Sequence, residues 1–263
     1  MEFDDASEFA AQIEYVRNLR MPDPSSEVMM QRMKFARLMI KDVPDKVSEE
    51  DSADVVGDSV VSYIGGLTPQ EKEDVSDSAL FAQIGASEYF NPETQRREWY
   101  NKYTEVLTHL GWVTTNDAYQ EYKPSGISFT MDEAALQIIA AVAGPNKLLF
   151  LRLAKAAFDA LSKNEGALQL FDSKSKTNNS GNFQILPCVR SEDGDLMLLV
   201  NCMQFTSRKN VTRVLFFKFS SEEVTVYRAA AVRNLNKRAY RAVREIVQDK
   251  VDAFRAEYIK NLL

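Results

Sequence analysis

The sequence is poor in the residues that most enzymes and metal sites use. Its 263 residues include two cysteines and one histidine, His109. Two cysteines cannot form a disulfide framework, and one histidine argues against a histidine-rich metal site or a hydrolytic triad. The chain also lacks Walker A, G-x-G-x-x-G, G-x-S-x-G, CxxC and HExxH motifs. We therefore expect no metal, no cofactor and none of the common enzyme chemistries.

The sequence predicts neither a membrane span nor a signal peptide. Residues 134–161 are the most apolar, but Gly144-Pro145, Arg152 and Lys155 interrupt them, and a span needs about 20 consecutive apolar residues. The first five residues (MEFDD) are acidic and do not form the basic and apolar regions of a signal peptide. These features predict synthesis in the cytoplasm, and any release would need an unconventional route.

Charge is spread unevenly along the chain. Net charge is −6, yet residues 134–263 hold 20 Lys and Arg against 12 Asp and Glu, whereas residues 1–133 hold 12 against 26. Such asymmetry can mark a basic surface for an acidic partner, but we favour two faces that attract each other within the fold. The last helix is basic on one side but also carries acidic residues, so nucleic acid is not expected as a partner.

Four apolar runs separated by turn signals organise the C-terminal half. They predict an antiparallel meander over about residues 181–228, with the third run as a central strand. The runs are Phe183–Arg190, Leu196–Phe205, Val211–Phe219 and Val224–Arg228.

The dipeptide Asp193-Gly194 sets the predicted register of the first hairpin. Asp-Gly between apolar runs predicts a type I′ turn. That turn pairs Ile185 with Cys202 and, because strand side chains alternate between faces, places Cys188 and Cys202 on opposite faces. The face predicted to hold Cys202 is otherwise apolar and carries Phe183, Ile185, Pro187, Val189, Leu198 and Val200.

Apolar residues recur at helical spacing both before and after the meander in the sequence, and this spacing predicts helices there. A capping box at Thr130–Glu133 and a good N-cap at Asn236 mark two of their starts, and an irregular hairpin is predicted over 112–129. The predicted helices span 5–19, 26–40, 48–64, 69–83, 91–110, 131–143, 147–162 and 237–262.

These elements predict an α+β fold in which helices from the N-terminal half and a long C-terminal helix pack the meander. We expect a single compact domain over residues 1–263. Within it, residues 1–90 form an acidic helical part, and residues 91–263 supply the remaining helices, the meander and the C-terminal helix.

Two residue clusters admit both a functional and a structural interpretation. Three aspartates on one side of the predicted helix 48–64 could bind a metal, but without an oxygen-rich loop we expect a solvated face. Four methionines could form an adaptable binding face, although we favour a core stripe. The clusters are Asp51, Asp54, Asp58 and Met29, Met30, Met33, Met39.

Cys188 and Cys202 are the remaining reactive candidates. A cysteine nucleophile usually needs a base, and only His109 could serve as a histidine base. Both cysteines could equally be small apolar residues packed in a sheet. His109 falls in the last turn of a predicted helix, where the helix dipole favours a protonated imidazole.

Short motifs within residues 90–260 carry a resemblance to a known family. They are Trp99-Tyr100, Val106-Leu107, Leu110-Gly111-Trp112-Val113, Phe129-Thr130-Met131-Asp132 and Ser180-Gly181-Asn182-Phe183-Gln184. With these motifs the chain resembles the Evf-type bacterial virulence factors and their uncharacterised relatives. The resemblance implies a compact fold without recognised enzymatic activity and a role in colonising an insect gut. It also implies a lipoprotein in which a cysteine carries a fatty acid, such as palmitate, inside an apolar channel.

The resemblance therefore implies a non-enzymatic, toxin-like protein that carries an acyl chain and acts on host membranes. The candidate attachment residues are Cys202 and, second, Cys188, and the candidate channel-lining residues are Phe183, Ile185, Leu198 and Val200. Two alternatives stay open. One is an interaction module without lipid, using the basic last helix or the methionine-rich helix. The other is a cysteine-dependent acyltransferase or hydrolase.

Overall fold

The computed structural model describes residues 3–23, 38–40, 51–114 and 119–260. The chain groups into two compact units, the first formed by residues 1–35, 69–113 and 234–263, and the second by residues 36–68 and 114–233. The single domain predicted over residues 1–263 stays a prediction.

Seven α-helices and ten β-strands occur among the described residues. The helices are α1 (Phe3–Asn18), α2 (Pro69–Tyr89), α3 (Arg96–His109), α4 (Met131–Val142), α5 (Lys147–Lys163), α6 (Glu165–Ser175) and α7 (Lys237–Lys260). The strands are β1 (Leu38–Ile40), β2 (Ser52–Val56), β3 (Ser59–Tyr63), β4 (Trp112–Val113), β5 (Tyr119–Tyr122), β6 (Ser128–Phe129), β7 (Ser180–Arg190), β8 (Leu196–Ser207), β9 (Phe219–Ser220) and β10 (Val224–Leu235).

The first unit is a group of helices that includes α1, α2, α3 and α7. Its predicted helix ends are confirmed at two places. Asn236 Oδ1 accepts the backbone N–H of Arg238 and Ala239, both at 3.1 Å, and so caps α7. Gly111 follows α3 with a φ of +89°, the left-handed conformation that glycine adopts most readily after a helix.

Three ion pairs join acidic residues of α2 to basic residues of α7 within this unit. The pairs are Glu71–Lys237 at 3.7 Å, Asp74–Arg244 at 2.6 Å and Asp77–Arg255 at 2.9 Å. For these residues the favoured interpretation of the charge asymmetry is confirmed, because the opposite charges attract each other inside the fold.

The second unit contains a sheet in the order β1-β2-β3-β7-β8-β10, with β5 also paired to β10. β3 and β7 run parallel, whereas the β1–β2, β2–β3, β7–β8 and β5–β10 pairs are antiparallel. Together with the helices, this mostly antiparallel sheet confirms the predicted α+β class. The predicted meander is correct only in its first hairpin, because the neighbour of β8 is β10.

Helices α4, α5 and α6 pack on one face of this sheet, which we call the helix face. A single buried core joins them to sheet residues such as Val60, Ile185 and Leu199. The capping box at the start of α4 is confirmed, since Thr130 and Glu133 exchange side chain-to-backbone hydrogen bonds. The predicted helical pair over 131–162 therefore packs against the sheet, as its apolar composition indicated.

The predicted helix over residues 48–64 is wrong from residue 52 onward, where the chain forms the β2–β3 hairpin. Val56 pairs with Ser59, so Gly57-Asp58 is a two-residue turn, and Gly57 has a φ of +60°. Because φ is positive at Gly57 but not at Asp58, the turn is of type II′. The β-branched residues on both sides of this turn favour strands more than the acidic residues favour a helix start.

The predicted central strand Val211–Phe219 is also wrong. Its middle is irregular because its backbone donors bond to side chains: Val214 N–H donates to Asp172 Oδ1 at 2.8 Å and Phe216 N–H to Asp132 Oδ1 at 3.1 Å. Phe216 has a φ of +62°, which an extended strand does not allow. The run is apolar because it packs into the helix-face core, not because it lies inside a sheet.

The carboxylate of Asp172 gives a prediction about pH. Burial raises the pKa of Asp172 above its ordinary 3.8, although the bond from Val214 N–H acts in the opposite direction. The stability linked to this group is therefore present below pH 3.8 and is lost as pH rises through the raised folded pKa. We expect Asp172→Asn, whose amide oxygen still accepts the bond, to gain stability relative to the wild type across that pH window.

Urea unfolding at a series of pH values checks this expectation. Asp172→Ala should lose about 1–3 kcal/mol, because Val214 N–H is left buried without an acceptor. Asp159→Asn, at an exposed position of α5, is the control and should follow the wild type. An Asp172→Asn curve parallel to the wild type at every pH would contradict the raised pKa.

Of two further predictions, one is wrong and the other falls mainly outside the described residues. The irregular hairpin over 112–129 is wrong, because β4 pairs with Asn234 and Leu235, β5 pairs with β10, and β6 pairs with β9. The predicted helix over 26–40 falls mainly on residues 24–37, which lie outside the described residues. Its last three residues, Leu38–Ile40, form β1 instead.

Candidate functional site

Both cysteines lie in the central hairpin of the second unit. Cys188 is in β7 and Cys202 in β8, with 0% and 3% of their surfaces exposed, and neither forms a disulfide. Cys188 lies opposite Leu198, and Cys202 lies opposite Gln184. Because directly paired residues project to the same side of a sheet, the two cysteines share one face. The predicted placement on opposite faces is wrong.

The loop between β7 and β8 explains this difference. Ser191 N–H donates to Asp195 O at 2.8 Å, and Gly194 N–H donates to Ser191 O at 3.0 Å. Gly194 has a φ of +86°, whereas φ is not positive at Asp193. The connection is therefore a three-residue loop over 192–194 instead of a two-residue type I′ turn. A register shifted by one residue moves every β8 side chain to the other face relative to β7.

We call the side of the sheet that carries both cysteines the thiol face. All of the residues that define it are buried, so the hairpin is covered on both faces, as its sequence predicted. They are Ser59, Val61 and Tyr63 of β3, Asn182, Gln184, Leu186 and Cys188 of β7, and Leu198, Val200, Cys202 and Gln204 of β8.

The thiol face has an apolar end and a polar end. Cys188 belongs to the apolar end, with Tyr63 on one side and Leu198 on the other. Cys202 lies where the polar end begins, beside Gln184. The four-residue offset between the two cysteines corresponds to about 13 Å along a strand, so the thiols are too far apart for a disulfide.

Amide side chains form the polar end. Ser59 Oγ donates to Gln184 Oε1 at 2.5 Å, and Tyr119 Oη donates to Gln204 Oε1 at 2.7 Å. Among the described residues, neither Gln184 Nε2 nor the side-chain amide of Asn182 has a hydrogen-bond partner. Buried amides without partners are rare, because each costs the desolvation of a polar group.

The four predicted channel-lining residues do not lie together. Phe183 and Ile185 project to the helix face and belong to its core, whereas Leu198 and Val200 lie on the thiol face. Cys202 therefore does not share a face with α4 and α5.

His109 has a structural position at the end of α3. Its ring stacks on Tyr15 with 3.6 Å between the ring centroids, and its backbone carbonyl accepts Gln12 Nε2–H at 2.6 Å. Burial lowers the pKa of His109, and the nearby Lys102 acts in the same direction, although Glu105 opposes them. The protonated imidazole expected from the helix dipole is therefore not favoured.

The three aspartates considered as metal ligands do not lie on a solvated helix face. Asp51 Oδ1 accepts Gly65 N–H at 2.6 Å, and Asp51 Oδ2 lies 3.7 Å from Arg152 Nη2. Asp54 is buried in β2, and Asp58 is in the type II′ turn. Within the described ranges, no group of three or more His, Cys, Asp or Glu side chains is arranged to hold a metal ion.

Several basic side chains of the last helix, α7, form ion pairs or hydrogen bonds with other residues of the first unit. Besides its pairs with α2, Lys250 Nζ donates to the carbonyls of Val16, Arg17 and Leu19 at the end of α1, at 2.7–3.1 Å. Of the helices described, none has the length and apolar character needed to cross a bilayer.

Comparison with known proteins gives distant likenesses only. No protein-family model matches the chain, and no curated protein matches it in sequence. A solved structure of a delta-endotoxin shares 17% identity with a TM-score of 0.40, covering 68% of this chain and 81% of the endotoxin chain. A solved structure of the Evf virulence factor shares 12% identity with a TM-score of 0.32, covering 83% of this chain and 88% of that chain. These two similar structures are a toxin and a virulence factor, and their likeness assigns neither a family nor an activity to this chain.

Proposed function

We propose that the protein is a non-enzymatic, toxin- or virulence-like lipoprotein that carries a fatty acyl chain as a thioester on Cys202 or Cys188 and acts on host membranes. The observation that supports this proposal is the common placement of both thiols on one buried face. The side chains between them are apolar, and they include Leu186 and Val200.

Acylation is a simple exchange of thioesters. The sulfur of the cysteine bonds to the carbonyl carbon of a long-chain acyl thioester, the bond between that carbon and the donor's sulfur breaks, and the thiol proton leaves with the donor's thiol. Each methylene that the protein then buries contributes about 0.8 kcal/mol. A palmitoyl-length chain along an apolar face would therefore be held firmly, and it could enter a membrane only after release.

The chain offers little support for a catalytic cysteine. A thiol nucleophile usually needs a base, and the sole histidine of the sequence stacks on Tyr15 in the first unit. The second unit contains no histidine. We therefore favour a stably held acyl group over an acyl-enzyme intermediate.

The test is the intact mass of the full chain purified from a bacterial host fed with a long-chain fatty acid. We expect the mass of one fatty acyl group in excess of the sequence mass, lost after hydroxylamine, which cleaves thioesters. The Cys188→Ser, Cys202→Ser double variant should lack this mass. Unmodified wild-type protein would contradict the proposal and favour an interaction module. Rapid transfer of the acyl group to water or an added amine would favour a transferase or hydrolase.

Membrane action is tested separately, by dye release from vesicles that contain anionic lipid. We expect acylated protein to release dye and the double variant to release less. Equal release by both would show that the acyl chain is not needed for action on membranes.

A further inference from the structure

Gln184 is the directly paired cross-strand neighbour of Cys202, and its side-chain N–H groups have no acceptor among the described residues. Side chains of directly paired residues in an antiparallel sheet lie about 5 Å apart at Cβ. Ser59 Oγ occupies the Oε1 side of the Gln184 amide at 2.5 Å. This contact fixes the plane of the amide and leaves Nε2 buried without a partner among the described residues.

Asn182 extends this group of donors. It lies two residues before Gln184 on the same strand and therefore on the same face, opposite Gln204. Its side-chain nitrogen and oxygen are both buried without partners within the described part of the chain. Two adjacent amides thus hold unsatisfied N–H groups beside one thiol.

Among the described residues, the cross-strand neighbours of Cys188 are not amides. Tyr63 and Leu198 flank it across the strands, and Leu186 precedes it on the same face. A carbonyl oxygen attached to Cys188 would have no amide side chain in its row, whereas one attached to Cys202 would lie beside amide donors. A buried carbonyl oxygen without a donor is unfavourable.

We infer that Gln184 and Asn182 form a carbonyl-binding site, and that this site selects Cys202 over Cys188 as the residue that carries the acyl thioester. The inference rests on the proposed function. Gln184 Nε2 donates to the thioester oxygen, with Asn182 Nδ2 as a second donor. The acyl chain then extends over Val200 and Leu186 towards the apolar end of the thiol face.

The same donors assist the loading step. The attack of the Cys202 sulfur on a long-chain acyl thioester moves an electron pair onto the carbonyl oxygen. That pair returns as the bond to the donor's sulfur breaks, and the thiol proton leaves with the donor's thiol. Amide N–H groups placed at the oxygen stabilise the negative charge while it exists. Loading at Cys202 is therefore faster than loading at Cys188.

Trypsin separates the two candidate residues cleanly. Cleavage after Lys176, Arg190 and Arg208 places Cys188 in the peptide 177–190 and Cys202 in the peptide 191–208. For full-length wild-type protein from cells fed with a long-chain fatty acid, we expect the hydroxylamine-sensitive acyl mass on 191–208. The peptide 177–190 should carry none.

Two buried-amide variants test the role of the donors. Gln184→Met keeps the size of the side chain and removes its N–H groups, so acyl occupancy of 191–208 should fall about tenfold, the factor for one lost hydrogen bond to a buried carbonyl. Asn201→Leu is the matched control. It removes a buried amide next to Cys202 in sequence but on the helix face, where Asn201 Nδ2 donates to Ala135 O at 3.4 Å, and should leave occupancy unchanged.

The outcomes separate the inference from the proposed function. An acyl group on 177–190, or equal occupancy in wild type and Gln184→Met, overturns the inference and leaves the proposed function standing. Absence of any acyl group from both wild-type peptides overturns the proposed function itself.

Discussion

Replacing Gly181 with alanine is expected to destabilise the protein by about 3 kcal/mol, at the upper end of the cost of overpacking a core. A Cβ on Gly181 would lie 2.3 Å from Cε1 of Phe205 and 2.6 Å from the backbone oxygen of Ser175. Gly181 pairs directly with Phe205, and Phe205 is fully buried. The ring cannot move without disturbing the helix-face core, and the oxygen belongs to the end of α6.

Gly166→Ala is the matched control for this variant. Gly166 lies in the first turn of α6, and the nearest atom to its added Cβ is Asn164 Oδ1 at 3.7 Å, an ordinary contact. Alanine favours a helix more than glycine does, so this change should stabilise by up to about 1 kcal/mol. Urea unfolding measures both variants. Similar stability changes in the two would mean that β7 does not approach Phe205 and α6 as closely as described.

The elements that the sequence predicts correctly have local causes. A capping box starts α4, Asn236 caps α7, and Gly111 ends α3, and each of these signals lies within a few residues of the element it determines. Spacing of apolar residues then predicts α4 and α5 as helices that pack against a sheet. Local side-chain chemistry and the spacing of apolar residues are sufficient to predict such elements, because these elements depend little on contacts with distant parts of the chain.

The elements that the sequence predicts incorrectly depend on contacts between distant parts of the chain or on single residues. The run at 211–219 has the composition of a strand, but its backbone donors bond to Asp132 and Asp172, which come from other elements. The hairpin β2–β3 follows acidic residues that also suit a helix start, and its parallel pairing with β7 brings together segments 125 residues apart, as in Ser59–Gln184.

The candidate site shows how sensitive such predictions are to one turn. The two cysteines stand out in the sequence because cysteine is scarce. The sheet faces on which they lie, however, depend on the length of the loop after Arg190. With three loop residues instead of two, Cys202 moves from beside Ile185 to beside Gln184. The amides of Asn182 and Gln184 were a usable signal, because polar residues inside an apolar strand need partners. The register decides which thiol they accompany.

Replacing Arg244 with methionine is expected to cost about 3–5 kcal/mol, the range for removing one partner of a buried ion pair. Arg244 Nε and Nη2 donate to the two carboxylate oxygens of Asp74 at 2.9 and 2.6 Å. The Asp74 side chain is 3% exposed, so the variant would leave its charge almost fully desolvated. Gln70 Nε2 also donates to Asp74, at 3.1 Å, but a neutral amide cannot replace the guanidinium charge.

Arg241→Met is the matched control, because Arg241 lies one turn earlier on α7 and is exposed. It should change stability by less than about 0.5 kcal/mol. The double variant Asp74→Leu, Arg244→Met should recover much of the loss, since an apolar pair carries no desolvated charge. Thermal unfolding of all three variants measures these changes in stability. If Arg244→Met behaves like Arg241→Met, the contact between α2 and α7 is a solvated surface pair. The excess of cations in the C-terminal half would then be available to an acidic partner.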